Sequence, residues 1–410
     1  MTVSRRCFLQ GLGLVAGATA AAPLLSVRTS YAATPTYTGA VLVVLSLRGG
    51  FDGLSAIAPV GDPDYALARP TIAVPTSRAL PTGDPRFGLH PALAPLKPLW
   101  DAGTMAAVHA VGTPDLSRSH FQATAELERA APGSSLRTGW LDRVLAAGGS
   151  GTPFQAVQLG DTSPSGLLAG PEAVLAAESL KDFSLSGSSW LGPRFASALN
   201  ALHTGVDSPA IAPARITLAA LDTAAALVKN DATPKNGATY PDTELGRAMA
   251  DVARLVRGAQ GLRAVSIDFG NWDMHQGLGA AGDGDMADHL GELALALAAF
   301  AADLGPLLFA NVTVITMSEF GRRVQENGSG GVDHGHGNAL LVLGGGLHGG
   351  QVHGTWPGLD DASLDDGDLA GTTDYRSVLA ELLVTRQGLS TSVAGAVFPS
   401  FTAQPVGLFR

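Results

Sequence analysis

Apolar runs and amphipathic stretches alternate along most of this chain. Thr38 to Leu47 is almost continuously apolar, as in a parallel strand covered on both faces. Met105 to Val111, Arg263 to Asp268, the run from Val312 and Asn338 to Leu343 repeat the pattern in shorter form. Between them the spacing predicts helices. Ala287 to Leu304 puts Leu290, Leu293, Leu297 and Phe300 on one side. Others are expected over Pro91–Asp101, from Ser119 to about Arg129, over Pro209–Lys229 and Thr243–Gln260, and over Asp374–Gln387, stopped by Gly388. Ser119 and Gln122 have capping-box spacing. Strands alternating with helices predict an α/β fold with a mostly parallel, doubly wound sheet.

Two stretches break the rhythm. Asp62 to His90 is rich in Pro, Asp and Thr and reads as irregular. Gly149 to Ala238 is rich in Gly, Ser, Pro and Ala, has few strand-like runs, and is expected as a cap or insertion beside the sheet of a domain spanning 33–410.

The first 32 residues read as a targeting segment. Ser4-Arg5-Arg6-Cys7-Phe8-Leu9 is a twin-arginine pattern, an apolar stretch runs to Leu25, and Ser30-Tyr31-Ala32 supplies small residues for cleavage. An ordinary secretory signal is the other reading, and the Phe-Leu after the arginine pair favours the twin-arginine translocase. The remainder is then expected to be periplasmic or secreted. Cys7, the single cysteine, leaves with the signal, so the mature chain forms no disulfide. Loss of Arg5, Arg6 and Arg28 makes the formal charge of −10 three units more negative. An acidic chain with no basic run is unsuited to nucleic acid or anionic membranes. No later run reaches roughly 18 apolar residues free of charges and helix breakers, so no stable membrane insertion is expected after cleavage.

Four places carry candidate chemistry. In the first, the apolar strand from Thr38 runs into a glycine-rich turn holding Asp52, as a metal ligand or a turn cap. In the second, Ser117-Arg118-Ser119-His120 opens a helix, where a hydroxyl can be a nucleophile matched to anion stabilisation or a plain cap. In the third, Asp268, Asp273 and His275 follow one strand closely. The fourth is the richest. Glu319 closes an apolar strand, and a glycine-rich loop then brings Asp333, His334 and His336. Carboxylates and imidazoles at strand ends are ligand types for one or two Zn, Mn or Fe ions. One of these histidines can instead hold a ligand in place. His353 is a further candidate ligand. His90, His109, His203, His289 and His348 read as structural or exposed, His109 as packed inside a strand.

The motifs together resemble a known family. Arg48–Leu54 (RGGFDGL), Phe87–Leu93 (FGLHPAL), Ser117–Phe121 (SRSHF), Gly139–Arg143 (GWLDR), Ser266–His275, Met317–Asn338 and Thr372–Leu383 resemble the secreted, twin-arginine-exported family of unknown function within the alkaline phosphatase-like superfamily. The resemblance implies a three-layer α/β/α sandwich of the phosphatase and sulfatase kind. It places Asp52 at the first-strand metal position and matches Asp268, Asp273 and His275 to an Asp and a nearby His. Glu319 stands where that superfamily has Asp. Phe320 replaces its His, which the Asp333-His334-Gly335-His336 loop can resupply. His353 resembles a late phosphatase histidine. The implied activity is hydrolysis or transfer of a phosphate or sulfate ester on a small molecule or polymer. Divalent metal would assist it, with Ser119 as nucleophile, Arg118 steadying the anion and His120 beside them. Ser117 or a water in place of Ser119 remains an alternative, as does a metal-stabilised scaffold without catalysis.

Overall fold

In the computed structural model the described residues are 37, 39–149, 151–183 and 211–410, with only the backbone described for 211–219. The expected export signal, His203 and part of the expected cap lie outside them.

Nine strands form the main sheet: β1 (Val41–Leu47), β2 (Met105–Gly112), β3 (Ala156–Leu159), β4 (Leu175–Ala177), β5 (Ala264–Phe269), β6 (Val312–Met317), β7 (Asn338–Gly344), β8 (Val352–His353) and β9 (Thr373–Asp374). Their order is β8-β2-β7-β6-β1-β5-β3-β4, with β9 also paired to β2. β7 runs antiparallel to β2 and β6, and the other pairs are parallel. The result is an α/β fold with a mixed, mostly parallel sheet. Two of its strands, β3 and β4, come from the stretch read as a cap. Both are short and rich in small residues, so their apolar signal is weak.

The central strand explains the architecture. Val41, Val43, Leu45 and Leu47 join a core with Leu245 and Met249 of one helix (Glu244–Arg257) and Leu290, Leu293 and Phe300 of another (Asp285–Phe309). Leu42 and Val44 join a second core with Trp140, Leu141, Val378 and Leu379, from the helices Trp140–Ala147 and Tyr375–Thr385. Each fully buried side chain of this size contributes roughly 1.5–3 kcal/mol. A strand covered on both faces has no position for a polar residue until its end.

The helix Asp285–Phe309 is interrupted at Gly305, with φ 64°, just before Pro306. It is the one helix among the described residues long and apolar enough to cross a membrane, and 56% of its most apolar window is buried inside the protein. Its buried Asp303 accepts from the Tyr240 hydroxyl at 2.9 Å and pairs with Arg257 at 2.6 Å. The helix α1 (His120–Arg129) begins after Ser119, whose side chain makes no capping bond. The expected capping box is absent because Gln122 turns to Asp115 instead, at 3.4 Å.

β5, β1 and β6 are neighbours in parallel register, Asp268 and Met317 both opposite Ser46. Their carboxyl ends therefore release three loops at one edge of the sheet, where open α/β sheets place their sites.

Candidate metal centre

The loop after β5 carries Asp273 and His275, the end of β6 carries Glu319, and the loop beyond it carries Asp333 and His334. His120 comes from the first turn of α1. A buried arginine ties these loops together. Arg322 donates to the Gly50 carbonyl at 2.6 Å, to Val332 at 3.0 Å, to Trp272 at 3.0 Å and to the Gly49 carbonyl. Its Nη2 also reaches Asp273 Oδ1 at 2.7 Å. Burial raises the Asp273 carboxyl, but hydrogen bonds from Arg322 and His334 and the nearby positive charge together hold the group down at about 2.

Three imidazoles converge on Asp273. His334 Nε2 lies 3.1 Å from His120 Nε2, 3.0 Å from His275 Nε2 and 3.1 Å from Asp273 Oδ1. His275 Nε2 is 3.0 Å from Asp273 Oδ1, and His120 Nε2 is 3.4 Å from Asp273 Oδ2.

The far nitrogens fix the tautomers. His120 Nδ1 faces Glu319 Oε1 at 2.7 Å, His275 Nδ1 faces Asp333 Oδ1 at 2.8 Å, and His334 Nδ1 faces the Arg118 carbonyl at 3.0 Å. Carboxylate and carbonyl oxygens only accept, so each Nδ1 carries a hydrogen, and Nε2 is the ring nitrogen that each imidazole turns toward the cluster. Ring nitrogens and a carboxylate brought this close attract a cation.

The spacing fits that cation. Four ligands about 2.0–2.1 Å from a tetrahedral ion stand roughly 3.3–3.4 Å apart. His334 Nε2 stands 3.1 Å from both His120 Nε2 and Asp273 Oδ1, and His120 Nε2 stands 3.4 Å from Asp273 Oδ2, close to that spacing. His120, Asp273 and His334 offer ligand atoms all within 4.8 Å of one another. Two nitrogens and an oxygen suit Zn or Fe, both rings have the outer hydrogen bond that metal-binding imidazoles require, and His275 stands against His334 and Asp273 at the edge of this set. All four side chains are between 24% and 46% exposed, so the point they surround is reachable from solvent.

The outer partners are themselves held. Glu319 is buried and accepts from the Gly49 amide at 2.9 Å and the Ser318 hydroxyl at 3.2 Å. Hydrogen bonds from His275 and then Asn327 lower the Asp333 carboxyl. A cavity of about 540 Å³ opens beside the cluster, lined by His120, Asp273, Phe121, Thr124, Glu128 and Arg48 among others.

The other expected site residues are placed elsewhere. Asp52 is outside the cluster because Arg69 takes both its oxygens, at 2.5 and 3.0 Å, deep in the protein. Burial raises its carboxyl, and Arg69 more than reverses this. Asp268 pairs with Arg48 at 3.1 Å. His336 is turned away, its Nε2 seated where a β-carbon on Gly112 or Gly371 would come within 2.8 Å, and burial lowers its pKa. His353 is engaged in β8, its Nε2 facing the His348 carbonyl at 2.8 Å. Glu319 and Asp333 touch imidazoles rather than the central point. The Arg118 guanidinium points to Asp368 at 2.5 Å, not to the cavity. Ser119 is exposed, next to His120.

Three arginines matter here that sequence reasoning does not single out. Arg48 lies in the RGGFDGL motif quoted above, and only its position after a buried strand signals it. Arg322 sits in the Met317–Asn338 motif quoted above without a role assigned to it, and Arg69 in a stretch read as irregular.

The family model of proteins of unknown function, DUF1501, matches residues 100–395. This chain belongs to that family. The match takes in His120, Asp273, His275, Glu319 and His334. No curated protein matches. Among solved structures, the C-terminal periplasmic domain of EcEptC from Escherichia coli is similar at 9% identity over 91% of this chain and 93% of that one, with a TM-score of 0.37. The PsFucS1 sulfatase from Pseudoalteromonas sp. is similar at 12% identity over 91% of this chain and 73% of that one, with a TM-score of 0.36. A zinc complex of the EcEptC domain, at 9% identity, covers 77% of each chain with a TM-score of 0.34. These scores are too low to transfer anything from those proteins to this chain.

Proposed function

We propose that this protein is a metal-dependent hydrolase or transferase acting on a phosphate or sulfate ester. The observation that carries the reading is the gathering of His120, His334 and Asp273 at one solvent-reachable place, with His275 against them. His120, His334 and Asp273 would hold a divalent ion, with His275 beside them. When bound, such an ion draws electron density from an ester oxygen and steadies the charge that develops there.

The protein's own groups do the rest. Glu319, Asp333 and the Arg118 carbonyl fix the imidazoles in the tautomer that presents Nε2. Arg48 is the cation lining the adjoining cavity, held by Glu128 at 2.6 Å and Asp268 at 3.1 Å, and is the group placed to meet an anionic ester. This role falls to Arg48 rather than Arg118. Ser119 precedes His120 in the chain with its side chain free of any capping bond, and is the hydroxyl proposed as nucleophile. Export of the mature protein by the twin-arginine translocase to the periplasm or beyond belongs to the same reading and is supported by the pattern at Arg5 and Arg6.

The test is the metal content of the purified protein beside His334→Ala, followed by turnover on a panel of phosphate and sulfate esters. One or two ions per chain, lost in the variant, with turnover that falls in parallel, is the expected result. A folded, metal-free parent overturns the reading. Metal without turnover on any ester leaves a metal-stabilised scaffold. Ser119→Ala with metal retained and turnover abolished assigns the nucleophile, and unchanged turnover removes Ser119 from that role.

A further inference from the structure

Arg118 has an unusual backbone. Its φ of 52° lies in the left-handed region, which a residue with a β-carbon keeps only when its surroundings hold it. This turn points its carbonyl at His334 Nδ1, 3.0 Å away, and launches α1 two residues later with His120 in the first turn. One short backbone segment therefore sets two of the three imidazoles.

Something has to hold it. The Arg118 guanidinium donates to Asp368 Oδ2 at 2.5 Å, and Asp368 is 1% exposed. Asp368 opens a two-residue strand, Asp368–Leu369, bridged to Arg323 just after the metal-site loop begins. Its other oxygen, Oδ1, is buried with no hydrogen-bond partner, and Arg323 Nε stands 3.7 Å from it. A buried carboxylate that leans on one charge-assisted hydrogen bond is a costly way to tie down a surface loop. It makes sense where the arginine's own conformation is what has to be fixed.

We propose that Asp368 is a positioning residue for the metal centre. Its ion pair with Arg118 holds that residue's backbone turned, so that the Arg118 carbonyl orients His334 and His120 reaches the cluster. The inference rests on the metal centre proposed above and adds a residue that touches none of its ligands.

The experiment titrates zinc against a competing chelator in the full-length protein, in Asp368→Asn, Arg118→Ala, Arg118→Gly, the double variant D368N/R118A, and His334→Ala. Thermal melts of each in excess chelator run alongside. Asp368→Asn and Arg118→Ala are each expected to weaken zinc binding ten- to a hundredfold. The double variant is expected to be no weaker than the worse single, since the two act as one unit. Glycine adopts a positive φ without an anchor, so Arg118→Gly is expected to bind within about threefold of the parent. A merely structural tie would move the melts of Arg118→Ala and Arg118→Gly together and leave zinc affinity alone.

Zinc affinity within twofold of the parent in Arg118→Ala, or equal losses in the alanine and glycine variants, overturns the proposal. These two sit on a half-exposed side chain and decide the question even if Asp368→Asn does not fold. If His334→Ala loses zinc and the Asp368 and Arg118 variants keep it, only this inference falls. If the parent binds no zinc, the metal centre falls and takes the inference with it.

Discussion

Asp52 and Asp273 follow neighbouring strands of one sheet, and both look like metal ligands in the sequence. The structure treats them oppositely. Asp52 is enclosed, with Arg69 bonded to both oxygens and Arg69 in turn donating to the Val324 and Arg323 carbonyls. Nothing there is left to bind an ion. Asp273 is half-exposed, has one buried arginine partner in Arg322, and is met by three imidazole nitrogens. What separates a clamp from a binding site is the donors and acceptors left over once the protein has satisfied its own groups.

Removing the clamp should be the largest effect. Asp52→Ala leaves Arg69 charged, fully buried and without its counter-ion, and is expected to cost about 3–5 kcal/mol in urea unfolding. Metal content of the folded fraction should not change. Loss of metal with stability intact would reverse the comparison between the two acids.

His109 sharpens the contrast among histidines. Its Nδ1 accepts from the Ala110 amide at 2.9 Å, and its Nε2 donates to the Ile57 carbonyl at 3.0 Å, so both nitrogens are committed. Burial lowers its pKa from 6.5 to about 4. The unfolded chain therefore takes up the proton first as pH falls. The associated stability is complete above pH 6.5 and drains away toward pH 4. The loss comes to about 2 kcal/mol between pH 7.5 and 5, since a tenfold difference in proton affinity is worth roughly 1.4 kcal/mol. Urea midpoints across that range should show the slope in the parent and a flatter one in His109→Gln. Equal slopes would remove His109 as its source.

The smallest of these effects tests the outer support of the cluster. Glu319→Gln keeps an acceptor for His120 Nδ1 but lowers its charge, so zinc should bind about tenfold more weakly. An unchanged affinity would mean that the ring is oriented by packing alone, for instance by Phe320, whose ring centroid is 4.8 Å from that of His120.

Much of the sheet is legible in the sequence, because strands buried on both faces leave an uninterrupted apolar run. β3 and β4 are not, being four and three residues long inside a stretch rich in small residues. The reversed direction of β7 is equally invisible, since apolar runs carry no polarity. Of the candidate ligands, Asp273, His275 and His334 are brought together, joined by His120, which reads as catalytic in the sequence. The strand-end rule finds their neighbourhood but not their geometry. Asp52 misleads because its partner, Arg69, lies 17 positions on, and burial of an arginine leaves no local trace. The roles of Glu319 and Asp333 depend on which ring nitrogen faces them, which spacing does not encode.

Arg322 gives the site a mechanical character. Its guanidinium holds carbonyls from three loops that are far apart in the chain, at Gly49 and Gly50, Trp272, and Val332. None of these loops can swing out alone without stranding a buried charge, so they should open as a single cooperative unit. Amide exchange across all three would then follow one common opening event, and the pocket would be rebuilt whole each time it closes.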